Sequence, residues 1–509
     1  MKLSIKYLLL IVLPLTITNL LANNNNRYIP IENKYYSFIE YQVLKSDSIS
    51  IFVLNQPYKF SELENLNSSE SFKRYYNNYV LAGFSLAKAD SKNISVAADI
   101  SPGLMAYSDQ NYQEISRAIH LDGTINIKSL TLVNRIKLDP SVKYDPDFHG
   151  DTGEWLMGYF QNSYLNLNLD NYIDIFAGRL GRNFGILNDY GLILSHNPYN
   201  FDHFGFRAGY KSLQYSFYFT RLNDMLGIDS QGAVFPIGET LNCHRYWAIQ
   251  KLDWALLPDL QISLSEATIY GGPEQDYVPS YLSPVNFFYA SQRNQQQQMS
   301  GLWQIAAFYR PKQGLGLYLD LFADDLVVNN EPVDDFGTMP TDVYPQRLGV
   351  MAKISCSDLF FKRTLSSLRY VRIWNDTYIS ARNFENYIYF NKSLGFPMNS
   401  YEGVKLSNVY FLYPSSMFSL SIETWRHGDR ELTDVFKLKK EKFPAGDVLY
   451  GLDINISCRT IFFKNVELDV NYNVSLTNLT FKEILTPAEV DHRIQAKLYY
   501  HFMRSFSGK

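Results

Sequence analysis

From about residue 93 onward, apolar and polar side chains alternate with a period of two. Within 466–474, apolar residues hold every even position and polar or acidic residues hold every odd one. The same alternation recurs in the runs 120–127, 315–321, 450–457 and 493–502. Because successive side chains of a β-strand point to opposite faces, each run predicts a strand with one apolar and one polar face.

Such strands build either a soluble sandwich, whose apolar faces meet inside, or a membrane barrel, whose apolar faces meet lipid. Connection lengths distinguish the two architectures. Short turns are predicted near 128–129, 170–171, 211–212, 257–259, 311–314, 357–363, 414–417 and 462–464. Long connections lie between them, at 140–154, 181–202, 223–242, 271–299, 324–346, 376–402, 428–446 and 476–490. Short turns on one side and long loops on the other favour an outer-membrane barrel over a sandwich.

The strands can be counted from the same pattern. One strand at about 93–107 is followed by eight hairpins, at 114–139, 155–180, 203–222, 243–270, 300–323, 346–375, 403–427 and 447–475. A last strand covers about 491–503. The sequence therefore predicts an all-β fold, a barrel of about 18 antiparallel strands over 91–509, give or take two strands, with both ends on the short-turn side.

The first ninety residues have a different pattern. Residues 1–22 carry Lys2 and Lys6, a short apolar run and Ala22, which together predict a cleaved signal peptide; a membrane anchor is the alternative. Helix-like spacing at 38–44 and 68–79 predicts a small periplasmic helical unit over 23–90, although 79–88 also suits an extra strand. The mature chain is then expected in the outer membrane of a Gram-negative-type cell.

Composition narrows the function classes. The chain has 509 residues, a formal charge of −4, 19% charged and 16% aromatic residues. The aromatic content excludes a disordered protein, and the missing basic runs argue against a nucleic-acid partner. Three scattered cysteines are too few for a disulfide framework or a zinc cluster.

No catalytic signature is present: there is no nucleophile elbow, zincin pair, phosphate loop or dinucleotide fingerprint. Asp324-Asp325 and Asp334-Asp335 could hold Ca²⁺, but a solvated acidic loop explains them better, and no cofactor or metal is predicted. Predicted lumen positions carry both charges. They either form an ion-pair lattice within the wall or line a path for polar solutes, as at Asp122, Arg135, Lys353, Asp453, Arg459 and Glu467.

The predicted long loops are rich in aromatic and amide residues. Tyr281, Phe287 and Tyr289 are candidate glycan contacts, because sugar rings need apolar stacking beside directional hydrogen bonds. The same composition also suits loops that only pack over the barrel mouth. Residues 383–391 form a second stretch of this kind.

Several short strings, in matching order, resemble the Wzi capsule-assembly family: 28–39, 55–63, 178–185, 192–197, 245–252 and 264–272. The chain departs from that family's pattern at Gln56, Phe60 and Phe184. The resemblance implies an eighteen-stranded outer-membrane barrel with a periplasmic helical unit. It also implies lectin-like, non-catalytic attachment or organisation of capsular or extracellular polysaccharide.

Three hypotheses follow for the function. The first is a glycan-binding barrel, with the helical unit at the periplasmic mouth and Arg179, Arg182 and Glu266 tying strands and loops together. The second is a porin or solute channel for small polar molecules. The third is an outer-membrane enzyme, which the missing signatures disfavour. Neither the glycan, nor the oligomeric state, nor whether the lumen is open follows from the sequence.

Overall fold

The computed structural model describes most of the chain after residue 25. The described residues are 26–31, 35–63, 66, 94–110, 112–152, 158–170, 172–228, 234–235, 242–273, 275–295, 299–325, 345–412, 415–436, 441–463, 465–478, 480 and 489–507. The predicted signal peptide, the candidate helix at 68–79, the possible strand at 79–88 and Asp334-Asp335 lie outside these residues.

Eighteen strands form the wall. They are β1 Ile94–Ser108, β2 Gln113–Ile127, β3 Leu130–Leu138, β4 Gly158–Leu169, β5 Ile173–Arg179, β6 Asp202–Tyr210, β7 Leu213–Arg221, β8 Asn242–Leu257, β9 Leu260–Pro273, β10 Ser300–Lys312, β11 Leu315–Asp325, β12 Arg347–Ser357, β13 Thr364–Ile373, β14 Tyr401–Leu412, β15 Ser416–His427, β16 Leu449–Phe462, β17 Val466–Asn478 and β18 Glu489–Tyr500, which continues as Phe502–Ser507. Each pairs antiparallel with its neighbours in chain order. The predicted barrel and its strand number are confirmed.

The barrel closes where β1 pairs with β18. This seam is interrupted at Ser101 and Pro102, opposite His501 and Tyr500, since pairing stops at Ile100 and resumes at Gly103. Proline has no N–H to donate to the ladder. On the lumen side, side chains bridge the gap: Ser101 Oγ lies 2.7 Å from His501 Nδ1.

The connections follow the predicted two-sided pattern. Turns at one end are tight, and Lys128, Asp170 and Lys211 take the positive φ that short hairpins require. Exposed aromatic side chains cluster at this end, at Tyr172, Tyr210, Phe360, Phe361 and Phe463. Such a girdle marks a membrane–water interface.

The outer faces of the strands are apolar and exposed around the whole circumference. Representative side chains are Ile100, Ile115, Leu165, Ile175, Leu264, Ile305, Leu319, Ile354, Leu368, Leu406, Leu420, Ile456 and Leu498. This is the surface that lipid covers in an outer-membrane barrel. Among the described residues, no helix is long and apolar enough to cross a membrane.

The lumenal segment, residues 26–31 and 35–63, lies inside the barrel wall. It contains helix α1 (Tyr35–Lys45) and the short helix α2 (Phe60–Leu63), so the expected small N-terminal helical element is present. Its apolar side chains form one core with inward residues of the wall. The sequence suggested that this part rests at the mouth; the described part extends inward, because its charges have partners on the wall.

Those partners lie on strands from one side of the barrel to the other. The Arg27 guanidinium donates two hydrogen bonds to the carboxylate of Asp122 on β2. Lys59 Nζ lies 2.8 Å from Asp174 of β5, and Asn55 donates to Asp253 of β8. Arg310 of β10 donates to the carbonyls of Val43 and Ser46, and Lys353 of β12 pairs with Glu40. Two of the lumen charges predicted from the sequence, Asp122 and Lys353, therefore form ion pairs with this segment, whereas Arg459 and Glu467 pair with each other within the wall.

Two long loops fill the barrel from the other end. Residues 180–201 and 374–400 are largely buried and join the same core through Leu187, Leu192, Tyr378, Tyr387 and Leu394. Tyr378 donates to the Leu192 carbonyl, and Tyr387 donates to the Ile193 carbonyl. The first loop also meets the lumenal segment, where Asn55–Gln56 pairs with Asn183–Phe184 in a two-stranded ladder. The lumenal segment and the 180–201 loop are thus in direct contact.

Candidate functional site

Arg179 and Arg182 lie where β5 gives way to the 180–201 loop. Arg179 forms a 2.8 Å ion pair with Asp202 at the start of β6. Arg182 is buried: its Nε donates to His203, and its guanidinium lies 3.7 Å from the centre of the Tyr218 ring. A guanidinium over an aromatic face is favourable, so both arginines link the loop to neighbouring strands.

Glu266 is on β9 and faces outward. It accepts hydrogen bonds from the Gln250 side chain on β8 and from the backbone N–H groups of Phe288 and Tyr289. These two residues begin helix α4 (Phe288–Gln295), which follows the shorter helix α3 (Pro279–Leu282) in the β9–β10 connection. Glu266 therefore joins two strands and a loop.

The candidate glycan contacts lie on the same connection, against the outer wall and away from the barrel mouth. Tyr281 is fully buried between Tyr270 and Phe288, whereas Phe287 is 55% exposed and Tyr289 packs against Trp303. Their role as glycan contacts stays a prediction. They do not line the cleft described next.

The outer cleft is a depression of about 530 Å³ at the long-loop end. Residues of three connections build it: 139–152, 374–400 and 428–436. Its lining combines amides, charges and apolar side chains, namely Asp147, Asn391, Pro397, Met398, Asn399, His427, Arg430, Glu431, Leu432 and Thr433. The 383–391 stretch noted in the sequence adjoins it, but the other two connections gave no signal.

An aromatic rim borders the outer cleft next to Asp147 and Asn391. His149 stacks on Phe390 at 4.0 Å between ring centres, with the planes 9° apart. The remaining members of the rim are Phe148, Tyr159, Tyr199 and Tyr389, each within 6.5 Å of another ring. His149 is exposed and the others are half-buried, so ring faces and edges are open to a ligand.

Charged groups hold the rim in position. Asp145 accepts hydrogen bonds from Tyr199 and Lys392, which tie residues 139–152 to the 180–201 loop and to the 374–400 loop. Burial alone would raise the pKa of Asp145, but these hydrogen bonds outweigh it and hold the pKa below its ordinary value. Asp145 thus stays ionised and acts as a structural link.

Arg430 occupies the wall of the outer cleft between two acids. It lies 2.6 Å from Glu441 and 3.4 Å from Asp376. Burial raises the pKa of Asp376 to about 6, with Arg430 opposing the rise and Glu441 adding to it. Asp376, the acid beside Arg430, consequently exchanges its proton near pH 6.

We expect Asp376→Asn to change how stability depends on pH. The folded pKa of about 6 exceeds the ordinary aspartate value of 3.8, so the folded chain holds this proton more tightly than the unfolded chain. Protonation of Asp376 adds about 3 kcal/mol to the free energy of unfolding. This stabilisation is complete below pH 3.8 and is lost as the pH rises through 6. Asp376→Asn should therefore raise the melting temperature relative to wild type more at pH 8 than at pH 4.5. An equal difference at both values would contradict the assignment.

An inner cavity of about 280 Å³ lies between the filled lumen and strands β13–β15. Polar side chains dominate its lining, among them Ser37, Asn188, Ser367, Arg369, Ser407 and Ser421. Arg369 is held by Asp189 and Glu423.

Asp324, considered above for Ca²⁺, is engaged in protein contacts. It forms a 3.0 Å ion pair with Arg347 and accepts hydrogen bonds from Ser300 and from the Tyr378 backbone. Within the described ranges, no group of three or more potential ligands is arranged to hold a metal ion.

Known proteins match this chain in structure and not in sequence. No protein-family model and no curated protein sequence matches the chain. Among solved structures, Wzi aligns over 92% of this chain and 98% of its own, with a TM-score of 0.58 and 10% identity. The chain has the Wzi fold. Wzi is described as an outer-membrane protein involved in group 1 capsule assembly in Escherichia coli and as a carbohydrate-binding β-barrel.

Two further solved structures align less well than Wzi. OccD3 (OpdP) of Pseudomonas aeruginosa aligns over 80% of this chain and 91% of its own, with a TM-score of 0.46 and 10% identity. OprD of the same organism covers 81% and 96%, with a TM-score of 0.43 and 8% identity. The Wzi likeness agrees with the one suggested by the short sequence strings and concerns the fold.

Proposed function

We propose that this outer-membrane barrel binds and organises capsular or extracellular polysaccharide at the cell surface without catalysing a reaction. The outer cleft carries the proposal. Its amides, carboxylates and guanidinium provide directional hydrogen bonds, and its apolar lining and the aromatic rim provide stacking surfaces. Sugar rings need both kinds of contact at once. The description of Wzi as carbohydrate-binding supports the same reading.

The site is suited to a polymer rather than to a small enclosed ligand. The outer cleft is open and is built from three loops on the long-loop side, so a chain could extend beyond it in both directions. The charged pairs Arg430–Glu441 and Lys392–Asp145 fix the loops in advance. Prior ordering of a site reduces the entropy lost on binding.

The proposal includes export. Residues 1–22 would be removed as a signal peptide, and residues 23–90 would form the periplasmic unit of which the lumenal segment is the described part. N-terminal sequencing of the mature protein would place the cleavage site near Ala22.

A solute channel is the second candidate. The inner cavity favours it, since polar side chains line a space beside the lumenal segment. The shared core of the lumenal segment and the two inward loops opposes it, because solutes would have to displace buried aromatic and aliphatic side chains. Planar-bilayer recording separates the two: a steady open pore supports the channel.

Deletion of the gene tests the polysaccharide role. We expect cell-attached polysaccharide to fall and polysaccharide in the medium to rise by a matching amount, because a barrel that binds polymer retains it at the surface. Complementation should restore the partition. Unchanged partition, together with a conducting purified barrel, would replace this proposal with the channel.

A further inference from the structure

The β9–β10 connection follows an unusual path. On β7, Ser216 and Tyr218 contact the filled lumen. Because side chains alternate along a strand, Phe217 and Phe219 face outward. Both are nevertheless buried, because residues 275–291 fold back over the outer faces of β7, β8 and β9. We call residues 275–291 the outer-wall segment.

The outer-wall segment and the wall form a separate aromatic core. Tyr246 and Tyr270 of the wall lie 5.3 Å apart between ring centres, and Tyr270 lies 4.7 Å from Tyr281 of the segment. Phe288 and Val278 are buried in the same cluster. This core shares no member with the one in the lumen.

Polar side chains on the outer wall bind the backbone of the segment. Gln250 donates to the Asn286 carbonyl, Tyr246 donates to the Gln275 carbonyl, and the Val278 N–H donates to Tyr270. Glu266 accepts from the first two N–H groups of α4. A carboxylate or amide without a partner on the lipid face of a barrel is costly, and so is irregular backbone in lipid. Here the polar side chains of the wall and the backbone of the segment satisfy each other's hydrogen bonds.

Beyond Gln275 and the exposed Asp276 at its start, the free surface of the outer-wall segment is uncharged and largely apolar. Residues 277–291 contain fifteen residues and no charged side chain. Val285 is 91% exposed and Phe287 is 55% exposed. The neighbouring wall residues Leu252 and Leu264 are exposed in the same way, so the segment continues the lipid-facing belt.

We propose that the outer-wall segment is embedded in the bilayer and contacts lipid acyl chains through Val285 and Phe287. Glu266 is a positioning residue that holds the segment to the wall. The continuity with Leu264, the uncharged surface and the pairing of the segment's backbone with wall side chains together select lipid as the partner. The inference does not rest on glycan binding at the outer cleft, and it assigns Phe287 to lipid in place of the glycan contact predicted from the sequence.

The test places a spin label at residue 285 of the full barrel in phospholipid vesicles. Single-cysteine variants Val285→Cys, Leu264→Cys and Met398→Cys are made after Cys243, Cys356 and Cys458 are replaced by alanine. Leu264 is a lipid-facing reference, and Met398 is an exposed reference in the outer cleft. Collision rates are measured with oxygen, which partitions into lipid, and with a water-soluble nickel chelate.

We expect Val285→Cys to match Leu264→Cys, with frequent oxygen collisions and few nickel collisions. Nickel collisions as frequent as at Met398→Cys would overturn the proposal, because the segment would then lie in water. Low collision rates with both reagents would also overturn it, in favour of a second copy of the chain covering this face.

A second comparison tests Glu266. Glu266→Ala leaves two buried N–H groups without their acceptor, and nickel collisions at residue 285 should increase. Glu266→Gln keeps an acceptor oxygen and should show a smaller increase. If Glu266→Ala leaves the collision rates at residue 285 unchanged, Glu266 does not hold the segment.

Discussion

Alanine at His149, Phe390 and Asn391 together is expected to weaken binding of the cell's surface polysaccharide by about tenfold or more. His149 and Phe390 supply the stacked pair of the aromatic rim, and Asn391 supplies an exposed amide at the edge of the outer cleft. Removing contacts worth 1.4 kcal/mol in total costs about tenfold in affinity, and aromatic truncations alone often exceed that. Titration of purified polysaccharide against the barrel in detergent measures the change.

The matched control for this variant is Tyr112→Ala. Tyr112 is 58% exposed at the β1–β2 turn, on the same side of the barrel, and does not line the outer cleft. Its affinity should equal that of the wild type, and both variants should keep the wild-type melting temperature. Loss of binding in both variants, or in neither, would remove the outer cleft as the binding site.

The second large effect is expected at Glu40, on α1 of the lumenal segment. Glu40 is fully buried, pairs with Lys353 at 2.9 Å and accepts a hydrogen bond from Ser355. Glu40→Ala leaves the Lys353 ammonium in the filled lumen with the Leu187 carbonyl as its remaining hydrogen-bond partner among the described contacts. Breaking one side of a buried pair costs about 3 to 5 kcal/mol. The melting temperature should fall, and protease should cut the lumenal segment faster.

Replacing both partners separates lost charge from lost packing. The double variant Glu40→Leu, Lys353→Met removes the two charges and retains the volume, so its stability should return close to wild type. Bilayer recordings on the three proteins add the functional readout. If only Glu40→Ala conducts, and the wild type and the double variant do not, the lumenal segment closes the lumen. A wild-type melting temperature in Glu40→Ala would mean that the ion pair contributes nothing.

The wall of the barrel was predictable because each strand separates two different surroundings. Lipid on one side and a polar interior on the other make apolar and polar residues alternate, and this alternation can be recognised in a single sequence. The predicted hairpin at 403–427 corresponds to strands spanning Tyr401–His427, and that at 300–323 to strands spanning Ser300–Asp325. Hairpin partners are also neighbours in sequence, which fixes their pairing.

The position of the lumenal segment was not predictable in the same way. It depends on ion pairs such as Arg27 with Asp122 and Glu40 with Lys353, whose partners are 95 and 313 residues apart. A single sequence gives no means of matching such charges. The outer cleft is equally hidden, since its lining residues Asp147, Asn391 and Thr433 come from three separate loops.

The outer-wall segment did leave a signal in the sequence. Fifteen consecutive uncharged residues at 277–291 are unusual for a loop exposed to water, and Gln250 and Glu266 are polar residues at lipid-facing positions of their strands. Composition alone made Tyr281, Phe287 and Tyr289 candidate glycan contacts, which stays a prediction. It did not show where their loop lies, which depends on the two outward polar side chains of β8 and β9 that need partners.

The contents of the lumen set the order in which the molecule can be assembled. The lumenal segment precedes β1 in the chain, yet its contacts reach from β2 to β16. A wall that had already closed would have to be threaded by this segment, together with two bulky loops. We therefore expect closure of β1 against β18 to be the last step, with the N-terminal residues already in place when the strands surround them. The seam at Pro102 and His501, sealed by side chains instead of a full ladder, is the natural place for that final join.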